Sequence, residues 1–245
     1  MDKISVVIPM YNEYENAQPF IAEVVQSLHN FAEKQIVVVN DGSNDATGSV
    51  LNTLTQQYKE LTVLHHSSNF GQSSAIVTGV RHAAYPLIAT LDGDGQNDPA
   101  DIKKLVAAYA EAYKETSNHA ILIAGMRLKR KDSRLKLMSS KIANAVRKRF
   151  LKDETRDTGC GLKLFSKDDF LKLPHFNHLH RFLPALYRRA GGQVTQVEVH
   201  HRPRTRGQSK YGVMNRLFVG IYDLFGVAWL MRRSLNPTLT TEVKQ

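Results

Sequence analysis

Five short apolar runs constrain the fold more than any single residue does: "ISVVI" (4–8), "IVVV" (36–39), "TVLH" (62–65), "LIATL" (87–91) and "AILIA" (120–124). They are largely β-branched and bounded by polar or turn residues, the pattern of buried strands. Between them the periodicity predicts helices over about 15–31, 46–58, 72–84 and 99–115. Strand–helix alternation of this kind implies an α/β fold with a mostly parallel sheet and helices on both faces. Ligands of such sheets bind beyond the carboxyl ends of the strands. "PMYNE", "NDGS" and "LDGDGQ" all fall there.

The fourth run stops on Asp92 and Asp94. Side chains two apart in an extended segment point the same way, so these carboxylates repel unless a cation lies between them. A hard divalent ion, Mg²⁺ or Mn²⁺, suits oxygen ligands and keeps positions open for phosphates. Gln96 would add a carbonyl oxygen or orient a bound group. The same Asp-Gly-Asp-Gly run is also good turn chemistry. Asp41 ends the second strand, where Ser43, Asn44 or Asp45 suits the N-cap of the next helix. Asp41 is one residue too early for that and suits a hydrogen bond to a base or ribose. "PMYNE", with Pro9, Tyr11 and Glu13, is by itself ordinary turn and helix-start chemistry.

The 245 residues carry 33 Lys and Arg against 23 Asp and Glu, a net charge of +10. Such a balance points to nucleic acid, an acidic membrane surface or a phosphate-bearing substrate. The single cysteine, Cys160, excludes an internal disulfide and fits a reducing compartment. The first residues lack the apolar core of a signal peptide, and no run reaches the roughly eighteen apolar residues of a spanning helix. A cytoplasmic protein is expected. Between Arg127 and Lys152 there are eleven Lys or Arg and one acid, with Leu135, Met138, Ile142, Val146 and Phe150 near helical spacing. This predicts a basic amphipathic helix. Phe150 is its only aromatic, which counts against nucleic acid, where bases stack on rings set among the charges. A further strand is predicted at 194–199. Residues 213–233 are apolar but broken by Asn215, Arg216 and Asp223. They suit a helix lying in a membrane interface, with Trp229 at headgroup depth and Arg232 and Arg233 on lipid phosphates, or a helix packed on the sheet. Residues 234–245 read as a tail. His175, His178 and His180 have no carboxylate or cysteine to complete a metal site, and Cys160 reads as packing.

Six motifs, "VVIPMYNE", "VVVNDGSNDAT", "NFGQSSAIVTGV", "LDGDGQNDP", "DTGCGLKLF" and "RTRGQSKYG", occur in the order and spacing of family 2 glycosyltransferases. Over about residues 3–235 the chain resembles the dolichyl-phosphate mannose synthase and bacterial polyprenyl-phosphate glycosyltransferase group. The resemblance implies a GT-A type, Rossmann-like fold. A catalytic domain would span 1–212, its nucleotide-sugar half about 1–126 and its acceptor half about 127–212, followed by the interfacial helix. It implies inverting transfer of a hexose, mannose from GDP-mannose, onto a polyprenyl or dolichyl monophosphate. The alternative is glucose or an aminosugar from a UDP donor. Carried over by motif, Pro9, Tyr11, Glu13, Val39 and Asp41 would line the nucleoside pocket. Asp92, Gly93, Asp94 and Gln96 would form the metal and sugar-diphosphate site. Arg127 matches the family's arginine, and Arg204 and Lys210 would reach the phosphates. From the chemistry alone, Arg127, Arg134 and Arg147 are cations suited to the acceptor phosphate, and Asp157 is either an orienting group or base or a turn acid before Gly159. Asn40 stands where the family often has a first Asp. The resemblance places the enzyme on the cytoplasmic face of a membrane with anionic lipid. A flippase or membrane glycosyltransferase would then use its product.

Overall fold

The structure is a computed structural model. The structure describes residues 2–115, 120–127, 150–151, 155, 157–204 and 213–233, in the last segment with side chains at 220 and 222–233. All five apolar runs form strands. β1 (Lys3–Met10), β2 (Glu33–Asn40), β3 (Leu61–His65) and β4 (Leu87–Thr90) run parallel in the order β3-β2-β1-β4. They alternate with α1 (Tyr14–Ser27), α2 (Thr47–Gln57), α3 (Gln72–His82) and α4 (Ile102–Glu115). The predicted start of α4 at residue 99 is a 3₁₀ turn, Pro99–Asp101, capped by the Asp98 carboxylate, which accepts the Ala100 N–H.

Alternation along β1 divides the core in two, because successive side chains face opposite sides of a sheet. Ile4, Val6 and Ile8 pack with Phe20, Ile21, Val24, Leu51 and Leu105 of α1, α2 and α4. Val7 packs on the other side with Val37, Val39, Ala75, Ile76 and Val80, under α3. The chain turns to β2 on one side of β1 and reaches β4 on the other. This reversal opens a crevice at the carboxyl ends of β1 and β4.

Beyond β4 the sheet departs from simple alternation. β5 (Ile121–Arg127) does not lie next to β4. A short strand from later in the chain, β6 (Lys163–Ser166), is inserted between them antiparallel to both, and β7 (Gln193–Val199) pairs parallel with β5. β6 was not expected. It is four residues long and lies between covered faces, so Lys163, Leu164 and Phe165 are all buried and show no alternation. It leads into α5 (Lys167–Leu171), capped by the Ser166 hydroxyl, then α6 (Leu183–Arg189) and, after β7, α7 (Val213–Met231). Of the expected basic helix only Arg127, in β5, and helical Phe150 and Leu151 are described. Arg134, Arg147, Lys210 and the tail lie outside the described residues.

α7 packs on the sheet along one face, as one of the two expectations had it, and leaves another face exposed. Leu224, Val227 and Ala228 are buried in the second core, while Tyr222, Phe225 and Trp229 are 82%, 58% and 60% exposed. The Arg189 guanidinium holds its end by donating to the carbonyls of Leu230 (3.0 Å) and Arg233 (2.9 Å).

Two glycines test this packing. A Cβ on Gly79 of α3 would overlap Val7 in β1, whereas one on Gly226 of α7 meets nothing within 4 Å. Overpacking costs roughly 1–3 kcal/mol and outweighs alanine's helical advantage of about 1 kcal/mol. Thermal unfolding should therefore show Gly79→Ala lowering the midpoint and Gly226→Ala raising it by a few degrees.

Candidate functional site

At the carboxyl end of β1 and β2, Pro9 and Val39 are register partners. Asn12, at φ 51°, turns the chain away, and its side chain exchanges two hydrogen bonds with Asn44 (2.7 and 2.9 Å). These close the loop containing half-buried Tyr11 onto the "NDGS" loop. Glu13 is buried; its N–H donates to the Thr47 hydroxyl (2.8 Å) and its carboxylate accepts from Asn16 (2.6 Å). Asn40, at the family's variant position, contacts the His65 ring (3.0 Å) and accepts the Ser43 N–H (3.2 Å).

Asp41 is not a spare N-cap. Its Oδ1 meets His66 Nδ1 (2.7 Å) and the Phe70 N–H (3.0 Å), and its Oδ2 accepts the Gly71 N–H (2.8 Å). It thereby fixes the turn that starts α3, with Gly71 at φ 88°. Oδ2 keeps capacity for one more donor.

Asp92 and Asp94 lie in the crevice as expected. Burial and the neighbouring Asp94 charge push the Asp92 carboxyl up to about 6, against the opposing pull of Lys163, Arg127 and Gln72. Gln72, the first residue of α3, donates its amide to Asp92 Oδ1 at 2.6 Å. The Gln72 motif is present in the sequence, but nothing there pairs it with a residue 20 positions on. Two glycines permit the close fit. A Cβ on Gly161 would overlap the Asp92 carboxylate, and one on Gly93 would overlap Met10. Lys163 is buried behind the pair, with its ammonium on the Cys160 carbonyl and its pKa lowered by burial. It too was missed, hidden within an apolar run.

Segment 200–204 brings the next cation. Asn97 and His201 form an antiparallel bridge, Arg202 N–H donates to the Gln96 carbonyl (2.9 Å), and the Gln96 amide donates to the Arg202 carbonyl (3.3 Å). Arg204 then reaches Asp94 Oδ2 at 2.8 Å and lies 3.6 Å from Glu13. Asp94 Oδ1 accepts the Gln96 N–H (3.0 Å). Arg127, at the end of β5, grips Asp157 through Nε (2.6 Å) and a terminal nitrogen (2.7 Å). This bidentate pair engages both carboxylate oxygens. The three histidines are spread over separate contacts: His180 with Ser73 (2.7 Å), His178 with Asp223 (2.8 Å) and His175 with the Phe170 carbonyl (3.3 Å). No cluster of three His, Cys, Asp or Glu suited to a metal occurs among the described residues.

The raised Asp92 pKa makes a stability prediction. Its folded value lies above the unfolded one, so between about pH 4 and 6 the native state holds the extra proton, and stability falls as pH rises through that window. Asp92→Asn removes the buried charge. In cation-free buffer it should stabilise the protein at pH 7 by on the order of 3 kcal/mol, a gain that shrinks below pH 6 and is gone near pH 4. Denaturant melts across pH check it.

The sequence profile for glycosyl transferase family 2 matches residues 5–173. The chain is 32% identical over 244 residues to a dodecaprenyl-phosphate galacturonate synthase of Rhizobium johnstonii, covering 96% of this chain and 69% of that protein. It is 30% identical over 226 residues to an undecaprenyl-phosphate 4-deoxy-4-formamido-L-arabinose transferase of Shewanella sediminis, covering 91% and 66%. The chain thus spans about two thirds of the length of these relatives. Among solved structures, glucosyl-3-phosphoglycerate synthase of Mycobacterium tuberculosis with UDP superposes with a TM-score of 0.65 at 16% identity, over 94% of this chain and 80% of that one. The same enzyme with Mn²⁺, UDP-glucose and phosphoglyceric acid gives 0.64 at 15%, over 94% and 79%. That likeness shows the fold, the GT-A type expected from the motifs. With a profile match across most of its length and relatives at 30% identity or more, the chain belongs to glycosyltransferase family 2.

Proposed function

We propose that this glycosyltransferase moves a sugar, with inversion, from a nucleoside diphosphate onto a polyprenyl monophosphate at a membrane surface. The observation that carries the reading is the Asp92–Asp94 pair at the reversal of the sheet, faced by Arg204, in a chain whose relatives are named for dodecaprenyl and undecaprenyl phosphates. The relatives' sugars, galacturonate and a formamido-arabinose, favour the UDP-sugar alternative over mannose from GDP-mannose. Family membership favours a sugar nucleotide and a lipid phosphate over nucleic acid as partners of the positive charge.

The residues fit a divalent cation, Mg²⁺ or Mn²⁺. A carboxylate that resists ionising because it is buried beside a second one is stabilised by positive charge between them. Asp92 and Asp94 would hold the ion with Gln96 nearby, leaving other positions for diphosphate and water. When bound, it takes up charge that develops on the leaving diphosphate. The nucleoside would lie against Pro9, Tyr11, Glu13, Val39 and Asp41, and the sugar-diphosphate beside Gly93. Arg204, with Lys210 beyond the described residues, would move onto the diphosphate.

A phosphate monoester acceptor is already largely ionised at neutral pH and needs positioning more than a base. Asp157 supports that economy, because its carboxylate is paired with Arg127. It would orient Arg127 toward the acceptor phosphate rather than take a proton. The test is product formation from undecaprenyl phosphate with UDP-galacturonate, UDP-glucose, UDP-N-acetylglucosamine and GDP-mannose, each with Mn²⁺. One UDP-sugar should support turnover well above GDP-mannose, and Asp94→Asn should lower it by at least about 100-fold with the fold intact. Turnover with GDP-mannose alone would restore the first expectation. Near-normal Asp94→Asn activity would remove the metal assignment.

The acceptor cannot leave its bilayer, so the chain must reach the surface. No described helix is long and apolar enough to cross a membrane. On α7, exposed Tyr222, Phe225 and Trp229 recur at 222, 225 and 229 along one face, Phe150 packs against Phe225 at 5.6 Å, and Arg233 lies 5.5 Å over the Trp229 ring. Aromatic rings beside exposed arginines suit an anionic headgroup layer. Leu230 packs partly into the core, so the surface is tested at Phe225 and Trp229 instead. Vesicles containing phosphatidylglycerol should bind the protein at low salt and release it at high salt. Phe225→Ser with Trp229→Ser should weaken binding roughly tenfold or more without changing donor affinity. A later enzyme or flippase would take the lipid-linked sugar onward.

A further inference from the structure

The first turn of α3 is tied to three different parts of the site. The Gly71 N–H donates to Asp41 Oδ2 (2.8 Å) at the end of β2. The Ser73 hydroxyl pairs with Nδ1 of half-buried His180 (2.7 Å), a ring that loss of solvent holds well below the usual histidine range. Between these anchors, the Gln72 amide donates to Asp92 Oδ1 (2.6 Å).

We propose that Gln72 is a positioning residue for the divalent cation, acting through Asp92. This rests on the cation site inferred above. An amide donor fixes one carboxylate oxygen while adding no charge. It therefore orients Asp92 and leaves Oδ2 available to a metal, without competing as an ammonium or guanidinium in its place would. The close approach of Gly161 leaves Asp92 little room to turn, so a single hydrogen bond is enough to select its orientation. Groups that hydrogen-bond a metal's ligands typically contribute about 10–100-fold to metal affinity or activity. Gln72 fits that description. The turn does not depend on Gln72 for its own shape, since Gly71 and Ser73 anchor it on both sides.

The experiment is Mn²⁺ titration of the full chain followed by electron paramagnetic resonance, without donor or acceptor. It compares wild type, Gln72→Met and Ser73→Ala. Gln72→Met matches the side chain in length and removes the donor. It should weaken Mn²⁺ binding by roughly tenfold or more, and in turnover raise the Mn²⁺ concentration needed for half-maximal rate more than it lowers the rate at saturating Mn²⁺. Ser73→Ala loosens the same turn without touching Asp92, and should lower the thermal midpoint while leaving Mn²⁺ affinity within about twofold. Equal losses of Mn²⁺ affinity in the two variants would mean that Gln72 only supports the turn, and would overturn the inference. Unchanged affinity in Gln72→Met beside a wild type that binds Mn²⁺ would overturn it alone. A wild type that takes up no Mn²⁺ at millimolar concentration would overturn the cation site and this inference together.

Discussion

Asp92 and Asp94 are held two residues apart at the reversal of the sheet against their own repulsion, and much of the surrounding architecture answers that fact. Gln72 comes from α3, Arg204 from the segment after β7, Lys163 from β6 and Gly161 from the turn before it. Each comes from a different part of the chain, and each relieves a different component of the cost. A donor satisfies one oxygen, a guanidinium neutralises the partner acid, a buried ammonium opposes the charge from behind, and a missing side chain makes the space. None of them removes the strain on the pair entirely, as the raised Asp92 pKa shows. A site left in that condition favours an incoming cation over self-sufficiency.

Arginine is used in two ways around this pair. Arg204, half-buried, meets Asp94 Oδ2 through one terminal nitrogen and lies near Glu13 through the other. Such a contact is readily exchanged for a phosphate. Arg127 is instead fixed in a two-point grip with Asp157, the geometry in which a guanidinium keeps a set direction. In the proposed reaction the first arginine follows the leaving group and the second presents a steady face to the acceptor.

The parallel half of the fold could be read from the sequence because its strands are β-branched runs with polar ends and its helices keep a 3.6-residue period. The strand ends followed, and with them Pro9, Asp41, Asp92 and Asp94. β6 escaped because four residues covered on both faces carry no alternation, and one of them is a lysine. Gln72 and Gly161 escaped for a different reason. Their partner is Asp92, distant in sequence, and only the tertiary fold brings α3 and the 157–161 turn against it. The segment 200–204 was legible as basic, but its bridge to Asn97, which aims Arg204, depends on main-chain pairing that side-chain pattern does not encode. The α7 pattern was legible as a helix, and its packing on the sheet as one of two readings; the apolar residues alone do not say which face is covered.

The insertion of β6 also governs the order in which the molecule can assemble. β1, β2 and β3 find their partners within a short stretch of chain, and β4 closes on β1 soon after. β4 and β5 then wait for a strand made some forty residues beyond β5. Until it arrives, each presents an open hydrogen-bonding edge made of apolar residues, the feature most prone to pair with another chain. Long-range pairing of this kind is slow because loop closure precedes the contacts that reward it. A chain made only as far as β5 therefore lacks the strand that covers the edges of β4 and β5. The "DTGCGLKLF" segment closes both of those edges, but β7 and the 200–204 segment that carries Arg204 follow later still, so no partly made chain has a finished site.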